Sequence, residues 1–450
     1  MRVPPPTAWL GVLLFTACTP VPLTASAARS AFAAELRLRL QTVAPDAEVT
    51  ELTSEVTRDG GMLVNGKLRG RAFALRFPPA WNRQTVLFAH GYTDPNGTPD
   101  VIPSDPTTPE VAQGLLKTVY EQGFAVGYSA FDKRGFAVTS AIENTVALKR
   151  FTDRLGSVRA YATGGSMGGS VVVLAVQRYP REFAGALAVC GVVSDWEDTV
   201  NYVTHVRALY NYFSEDTPYA LPGTHDVTRA LPSATMGDVT LTLLKLYVHA
   251  KLDARSQAAQ ILNRTLSAVP GVRSRPEFST LVVSLLPQLV GIDDFTADAG
   301  GSILDNHETR YRSSLLSERE NAALNEGIQR YRADPQAVTR FNRQFGSIGE
   351  MPVKLLTVHN AYDPLVSYEH EERLRERVAR AQQLGHLAQQ TLPTRNEALP
   401  LPVLSLLGPA VGAAHCGFTP QQSERAWNDL RTWVERDVKP AESFRVDLDR

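Results

Sequence analysis

Only three of the 450 residues are cysteines: Cys18, Cys190 and Cys416. Without Cys18 two remain, enough for one disulfide and too few for a structural zinc framework. Neither charge is in excess. The 46 Lys+Arg face 47 Asp+Glu, without the basic surplus that marks nucleic-acid binders. Beyond the N-terminus no apolar run is long enough to cross a bilayer, and a stretch such as 281–290 is too short. No segment repeats. The histidines show no ligand spacing. His370-Glu371 is followed by Arg373 and Leu374, so the second histidine of a zinc-protease helix is missing. Residues 164–169 are neither a dinucleotide fingerprint nor a P-loop. With 43% hydrophobic and 21% charged residues, disordered and low-complexity classes are excluded.

The chain opens on a processing signal. Arg2 supplies a weak basic start, and residues 8–17 form an apolar run too short to span a membrane. Two endings fit. Ala25-Ser26-Ala27 is an A-x-A-like cleavage site, whereas Leu14-Phe15-Thr16-Ala17-Cys18 resembles a bacterial lipobox that would lipidate Cys18. An uncleaved apolar N-terminal helix is the plain alternative. Residues 1–27 are therefore set apart as a signal, and the protein is expected to be exported: secreted, periplasmic or lipid-anchored at the envelope.

Short strands follow over 47–57, Met62–Leu68 and Arg71–Phe77, punctuated by Gly60-Gly61 and Gly70 as hairpin turns. Then the pattern changes. Continuous apolar runs at Gln84–Ala89, 123–130, 158–163 and 185–190 alternate with helical periodicity over 110–121, 139–155 and 167–179. Such alternation predicts a parallel sheet covered on both faces. After Gly191 it stops. Residues 196–213, 239–250, 255–269, 318–332 and 335–345 read as helices, with Pro222, Pro232, Pro270 and Pro276 breaking the stretch. His249, among apolar helical residues, is expected to be a satisfied core histidine. The alternation resumes with a strand at 353–359, a helix at 368–383 and a strand at 401–406. On that helix Arg373, Arg375, Arg377 and Arg380 interleave with Glu371, Glu372 and Glu376, as on a solvated face. Thr419-Pro420-Gln421-Gln422 is a capping box opening a last helix with Trp427, Leu430 and Trp433 on one side.

Gly164-Gly165-Ser166-Met167-Gly168 matches G-x-S-x-G, and a buried strand enters it while a helix leaves. That is the context a nucleophile elbow requires, with Ser166 as the nucleophile. Its oxyanion donors would be the backbone amides of Met167, next in sequence, and Tyr92, in His90-Gly91-Tyr92 at the end of an earlier strand. His90 itself reads as a packed histidine. A serine hydroxyl needs a base, and the base needs an orienting carboxylate. In the expected chain order, Asp363 follows the strand 353–359 and His415 lies in a loop flanked by Gly412 and Gly417. Asp195 and Glu197, past the strand ending at Cys190, are rivals for the carboxylate.

These residues resemble those of α/β-hydrolase-fold serine hydrolases over residues 84–438. Phe131-Asp132-Lys133-Arg134-Gly135 resembles the D-x-R-G segment after the fourth strand of many members. Residues 349–366 and His415-Cys416-Gly417-Phe418 resemble exported bacterial esterase-like and prolyl-oligopeptidase-like hydrolases. The resemblance implies an α/β-hydrolase core over 28–191 and 352–450, with a helical cap, 192–351, inserted after the sixth core strand. It implies hydrolysis of a small-molecule ester, or of a peptide, without cofactor or metal. Nucleic acid is not an expected partner, a membrane only through a lipid on Cys18, and the oligomeric state is open.

A carboxylic-ester hydrolase is the leading expectation. A serine peptidase or amidase could use the same machinery, and cap carboxylates such as Asp293 and Asp294 could then face an amine. An exported binding protein without catalysis is the third. Finally, the loop carrying His415 must pass over the end of the sixth strand, strands being ~4.8 Å apart, which carries Cys416 towards Cys190. A disulfide there and two separate buried thiols are both compatible with the sequence.

Overall fold

The computed structural model describes residues 25–97, 102–271, 277–398 and 411–444. The apolar run 8–17, Cys18 with its lipobox and the expected strand 401–406 lie outside the described residues.

After a first helix α1 (Ala25–Val43), three antiparallel strands follow: β1 (Val49–Val56), β2 (Met62–Leu68) and β3 (Arg71–Phe77). Six more complete the sheet: β4 (Gln84–Ala89), β5 (Ala125–Ser129), β6 (Arg159–Gly165), β7 (Gly185–Val189), β8 (Lys354–Asn360) and β9 (Leu387–Leu392). The sheet order is β1-β2-β3-β5-β4-β6-β7-β8-β9, and every pairing from β5 to β9 is parallel. This follows from the sequence: β5 and β8 are buried almost throughout, as strands covered on both faces must be.

Helices α2 (Leu115–Glu121), α3 (Val138–Arg154) and α4 (Met167–Arg178) form the crossovers. The α3 and α4 side chains Val146, Phe151, Val171 and Val172 belong to the larger core, which covers one face. The second face is covered by α2 and by α12 (Pro420–Arg436), whose Trp427 and Trp433 are buried beside Phe124 and Tyr161. The capping box of α12 is formed in both directions between Thr419 and Gln422.

Between β7 and β8 come α5 (Trp196–Ser214), α6 (Met236–Leu252), α7 (Gln257–Ser267), α8 (Phe278–Ala299), α9 (Glu318–Gly327) and α10 (Pro335–Phe345). Two elements depart from the sequence reading. No helix was read over 278–299 from the sequence; the structure forms α8 there and runs it through Pro287. An interior proline costs a helix about 3 kcal/mol, and burial of Leu281, Leu285, Leu289 and Ile292 on both sides of it offsets that. At 22 residues α8 is long and apolar enough to cross a membrane, but 67% of its apolar window is buried inside the fold, as in a core helix. Strand β9, Leu-Ala-Gln-Gln-Thr-Leu, has too little apolar content to read as a strand alone. Pairing with β8 through Leu355↔Leu387 to Asn360↔Leu392 makes it one. Between α10 and β9 lies α11 (Glu369–Arg380).

Helix α8 touches three loops at the carboxyl ends of the strands. Ser284 Oγ donates to the Pro364 carbonyl after β8 at 2.7 Å. The Phe295 ring stacks on Tyr92, after β4, with centroids 5.5 Å apart. Asp294 accepts from the Phe136 amide, after β5, at 2.5 Å and from Lys133 Nζ at 2.8 Å. In the sheet order β6 lies between these anchor points.

Candidate active site

Strand β6 runs directly into Ser166, and α4 starts at the next residue. Ser166 sits at φ 57°, ψ −124°, a conformation that costs a non-glycine residue on the order of 1–3 kcal/mol. The glycines of the motif allow it. A Cβ on Gly168 would lie 2.0 Å from the Ala89 carbonyl oxygen, and one on Gly164 would lie 2.3 Å from the Gly168 oxygen. Only bare backbone lets the start of α4 approach the end of β4 this closely. The turn leaves Oγ at the edge of the sheet.

Three side chains meet there. Ser166 Oγ is 2.9 Å from His415 Nε2, and His415 Nδ1 is 2.9 Å from both carboxylate oxygens of Asp363. Asp363 is fully buried, while the His415 side chain keeps 18% exposure. The carboxylate is held from behind. Oδ1 accepts from the amides of Leu365 at 2.9 Å and Val366 at 3.0 Å, and Oδ2 accepts from Cys416 at 3.2 Å. Burial works to raise the Asp363 carboxyl, but His415, His359 and the Val366 amide outweigh it and hold the group below the ordinary carboxylate range. With Asp363 ionised, Nδ1 of His415 carries the proton, and the Nε2 lone pair faces Ser166.

His90-Gly91-Tyr92 passes directly over the serine. A Cβ on Gly91 would stand 3.3 Å from Ser166 Cβ, so a side chain at Gly91 would crowd the nucleophile. The Met167 amide opens α4, where helix geometry leaves it without an intrahelical acceptor. Among the described residues, neither this amide nor that of Tyr92 has a backbone acceptor in a turn, loop or cap. His90 packs its ring on Phe131, centroids 3.9 Å apart, and takes no place beside Ser166 Oγ.

The loop bearing His415 has further supports that sequence reasoning missed. Asn360 Nδ2, at the end of β8, donates to the Gly417 carbonyl at 3.0 Å, and Gln113 Nε2 donates to that of Cys416 at 3.0 Å. A buried asparagine ending an apolar strand was the legible signal for the first. Cys190 and Cys416 bring their sulfurs together with Cα atoms 5.2 Å apart, inside the range of disulfides. Both cysteines hold positive φ, 46° and 58°. The two sulfurs and a ring nitrogen of His415 also lie within 4.8 Å of one another, a spacing that thiolates could use for a metal. Paired with each other, the sulfurs offer no thiolate.

The rival carboxylates are engaged elsewhere. Asp195 takes Arg377 at both oxygens, with Nη1 3.0 Å from Oδ1, and Glu197 accepts from Asn342 Nδ2 at 2.7 Å. The arginines of α11 are thus not a purely solvated face: Arg377 pairs with Asp195, Arg373 with Asp198 and Arg375 with Glu442. Glu371, expected on that face, is 2% exposed. His249 corrects the other way. It is exposed on α6, with the Tyr219 hydroxyl 2.6 Å from Nδ1.

The chain adopts an α/β-hydrolase fold. Strand order, elbow and the order Ser166, Asp363, His415 carry that assignment. No protein-family model matches the sequence, and no curated protein does. Distant likenesses exist among solved structures. Feruloyl esterase B from Aspergillus oryzae is 14% identical, with a TM-score of 0.41 over 84% of this chain and 81% of that one. A 2-hydroxy-6-oxo-6-phenylhexa-2,4-dienoate hydrolase from Rhodococcus is 12% identical, with a TM-score of 0.35 over 86% and 99%. The monoacylglycerol lipase of Paleococcus ferrophilus is 13% identical, with a TM-score of 0.34 over 81% and 98%.

Two histidines of this α/β-hydrolase fold, His370 buried and His205 half-buried, give a pH prediction. Burial, with the charges of His359, Arg373 and Arg377, pushes His370 down to about 3; burial pushes His205 down to about 4. Below about pH 6.5 the unfolded chain takes up protons that these native imidazoles refuse. Stability should therefore fall from about pH 6.5 towards those values, by up to about 1.4 kcal/mol per pH unit for each group. Denaturant midpoints at about pH 7 and pH 5 check this. An unchanged or higher midpoint at the lower pH would contradict neutral burial.

Proposed function

We propose that this chain is an exported serine hydrolase that cleaves carboxylic esters through an acyl-enzyme on Ser166. The observation that carries the reading is the continuous chain Ser166–His415–Asp363, each link 2.9 Å. His415 Nε2 takes the Ser166 proton as Oγ attacks the ester carbonyl. Asp363 keeps the imidazole in the required tautomer and stabilises the imidazolium. The Tyr92 and Met167 amides receive the oxyanion, a donor worth ~10²–10³ in turnover. His415 then returns the proton to the departing alcohol. Water, deprotonated by the same nitrogen, cleaves the acyl–serine bond and releases the acid.

Residues 192–351 act as a cap in this reading, supported by the contacts of α8 with the loops after β8, β4 and β5. Export is supported by the N-terminal signal pattern. Of the two cap carboxylates that a peptidase could turn to an amine, Asp294 is taken up by Lys133 and the Phe136 amide. Purified protein should hydrolyse chromogenic acyl esters much faster than aminoacyl anilides. Faster turnover of the anilides would overturn the ester reading.

Cys190 and Cys416 form a disulfide in the exported protein. Because Cys416 follows His415 directly, the bond ties the base to the end of β7. Replacing both cysteines by serine should cost about 2–5 kcal/mol and lower turnover as well. Thermal melting with and without reductant, beside thiol titration of the denatured protein, measures it. Two titratable thiols without reductant would refute the bond.

A further inference from the structure

Behind the triad lies a buried polar group that the mechanism above does not use. His359, on β8, is 1% exposed and Glu371, on α11, is 2% exposed. His359 Nε2 is 3.0 Å from the Val366 carbonyl oxygen, so Nε2 carries a proton and donates it there. His359 Nδ1 faces Glu371 Oε1 at 3.6 Å, and neither atom has another partner among the described residues. A proton must lie between two such buried atoms, since two facing lone pairs would repel. The other Glu371 oxygen accepts from the Thr357 hydroxyl and from Gln389 Nε2 at 2.7 Å. With the proton on the imidazole, both Glu371 oxygens are acceptors and the two groups form an ion pair.

The same residue 366 joins this pair to the site. Its carbonyl takes the His359 proton, while its amide donates to Asp363 Oδ1 at 3.0 Å. We propose that His359 is a positioning residue of the triad, a buried imidazolium fixed by Glu371 that holds the turn under Asp363 and keeps its carboxylate ionised. This rests on the reading of Ser166, His415 and Asp363 as a triad. The charges facing His359 are few. Glu371 and Asp363 favour its cation, and burial opposes it but is outweighed. His370, the next residue on α11, is bonded to the Ser194 and Thr199 hydroxyls and stays neutral. Arg375 reaches the cluster through the Gln389 side-chain oxygen at 3.2 Å, and the Tyr368 ring stands perpendicular to that of His359, centroids 5.9 Å apart.

The consequence is electrostatic. A cation behind Asp363 offsets part of the carboxylate's pull on the His415 proton. Glu371→Gln, nearly isosteric, removes the anion and lets His359 become neutral. His359→Gln keeps a donor for Val366 without the charge. Both variants should raise the acid limb of the kcat/KM profile by about one unit. Both should lower kcat on the order of tenfold, less than the 10²–10⁴ of a general base, with KM little changed. A limb that stays in place in a folded variant would overturn the proposal, whatever happens to kcat. Nitrogen-detected NMR of the wild-type histidines is the second measurement, and it needs no variant to fold. At about pH 7.5 His359 should show both ring nitrogens protonated; a neutral tautomer would overturn the proposal. Fluorophosphonate labelling of the wild type separates the two failures. If Ser166 is not labelled, the triad reading itself is wrong; if it is labelled and the limb does not move, only the role of His359 is.

Discussion

Ser166→Ala should abolish fluorophosphonate labelling and reduce ester hydrolysis by roughly 10⁴–10⁶-fold, with the fold intact. Alanine has the same Cβ as serine, so the positive-φ elbow is no more strained by it, and the flanking glycines still admit the close approach of α4 to β4. What disappears is Oγ, 2.9 Å from the only atom of His415 that can receive its proton. No second site should be modified. The molecule does contain another serine–histidine contact, Ser194 Oγ to His370 Nδ1 at 2.6 Å. Both residues are 1% exposed, and burial keeps that histidine neutral down to about 3, so neither probe nor substrate reaches the pair. Mass spectrometry of the labelled peptide decides the matter. Label found elsewhere, or persisting in the variant, would remove Ser166 from the mechanism.

Asp363→Asn should cost turnover about 10⁴-fold, more than loss of a hydrogen bond alone would explain. Oδ1 of Asp363 receives two amides, from Leu365 and Val366, so the amide oxygen of asparagine must occupy that place. Its NH₂ then stands where Oδ2 was, facing the His415 Nδ1 position and the Cys416 amide. A donor there forces Nδ1 to accept, and the imidazole proton moves to Nε2, pointing at Ser166. The base is then in the wrong tautomer. Labelling of Ser166 should slow in step with kcat while KM changes little. A variant retaining more than about a tenth of wild-type kcat would assign the orienting role to another group.

Much of this site could be read from residue order alone. G-x-S-x-G between an apolar strand and a helix located Ser166, because only glycine lets backbone pass that close. Asp363 and His415 followed from position after the apolar runs. The parallel sheet was legible because strands covered on both faces need continuous apolar sequence, and β4 to β8 supply it. Other features became definite only when distant segments met. Asp195 and Asp363 are both acidic residues in the loop after a parallel strand, and nothing local distinguishes them. Arg377, 182 residues away, satisfies the first, and the turn amides at 365 and 366 preorganise the second. Strand β9 and the proline-bearing helix α8 defy local propensity, and burial against partners far along the chain overrides it. Glu371 has the sequence neighbourhood of a solvated helix face. It is buried because β8 and β9 present Thr357, His359 and Gln389 to it, an environment that exists only in the folded sheet.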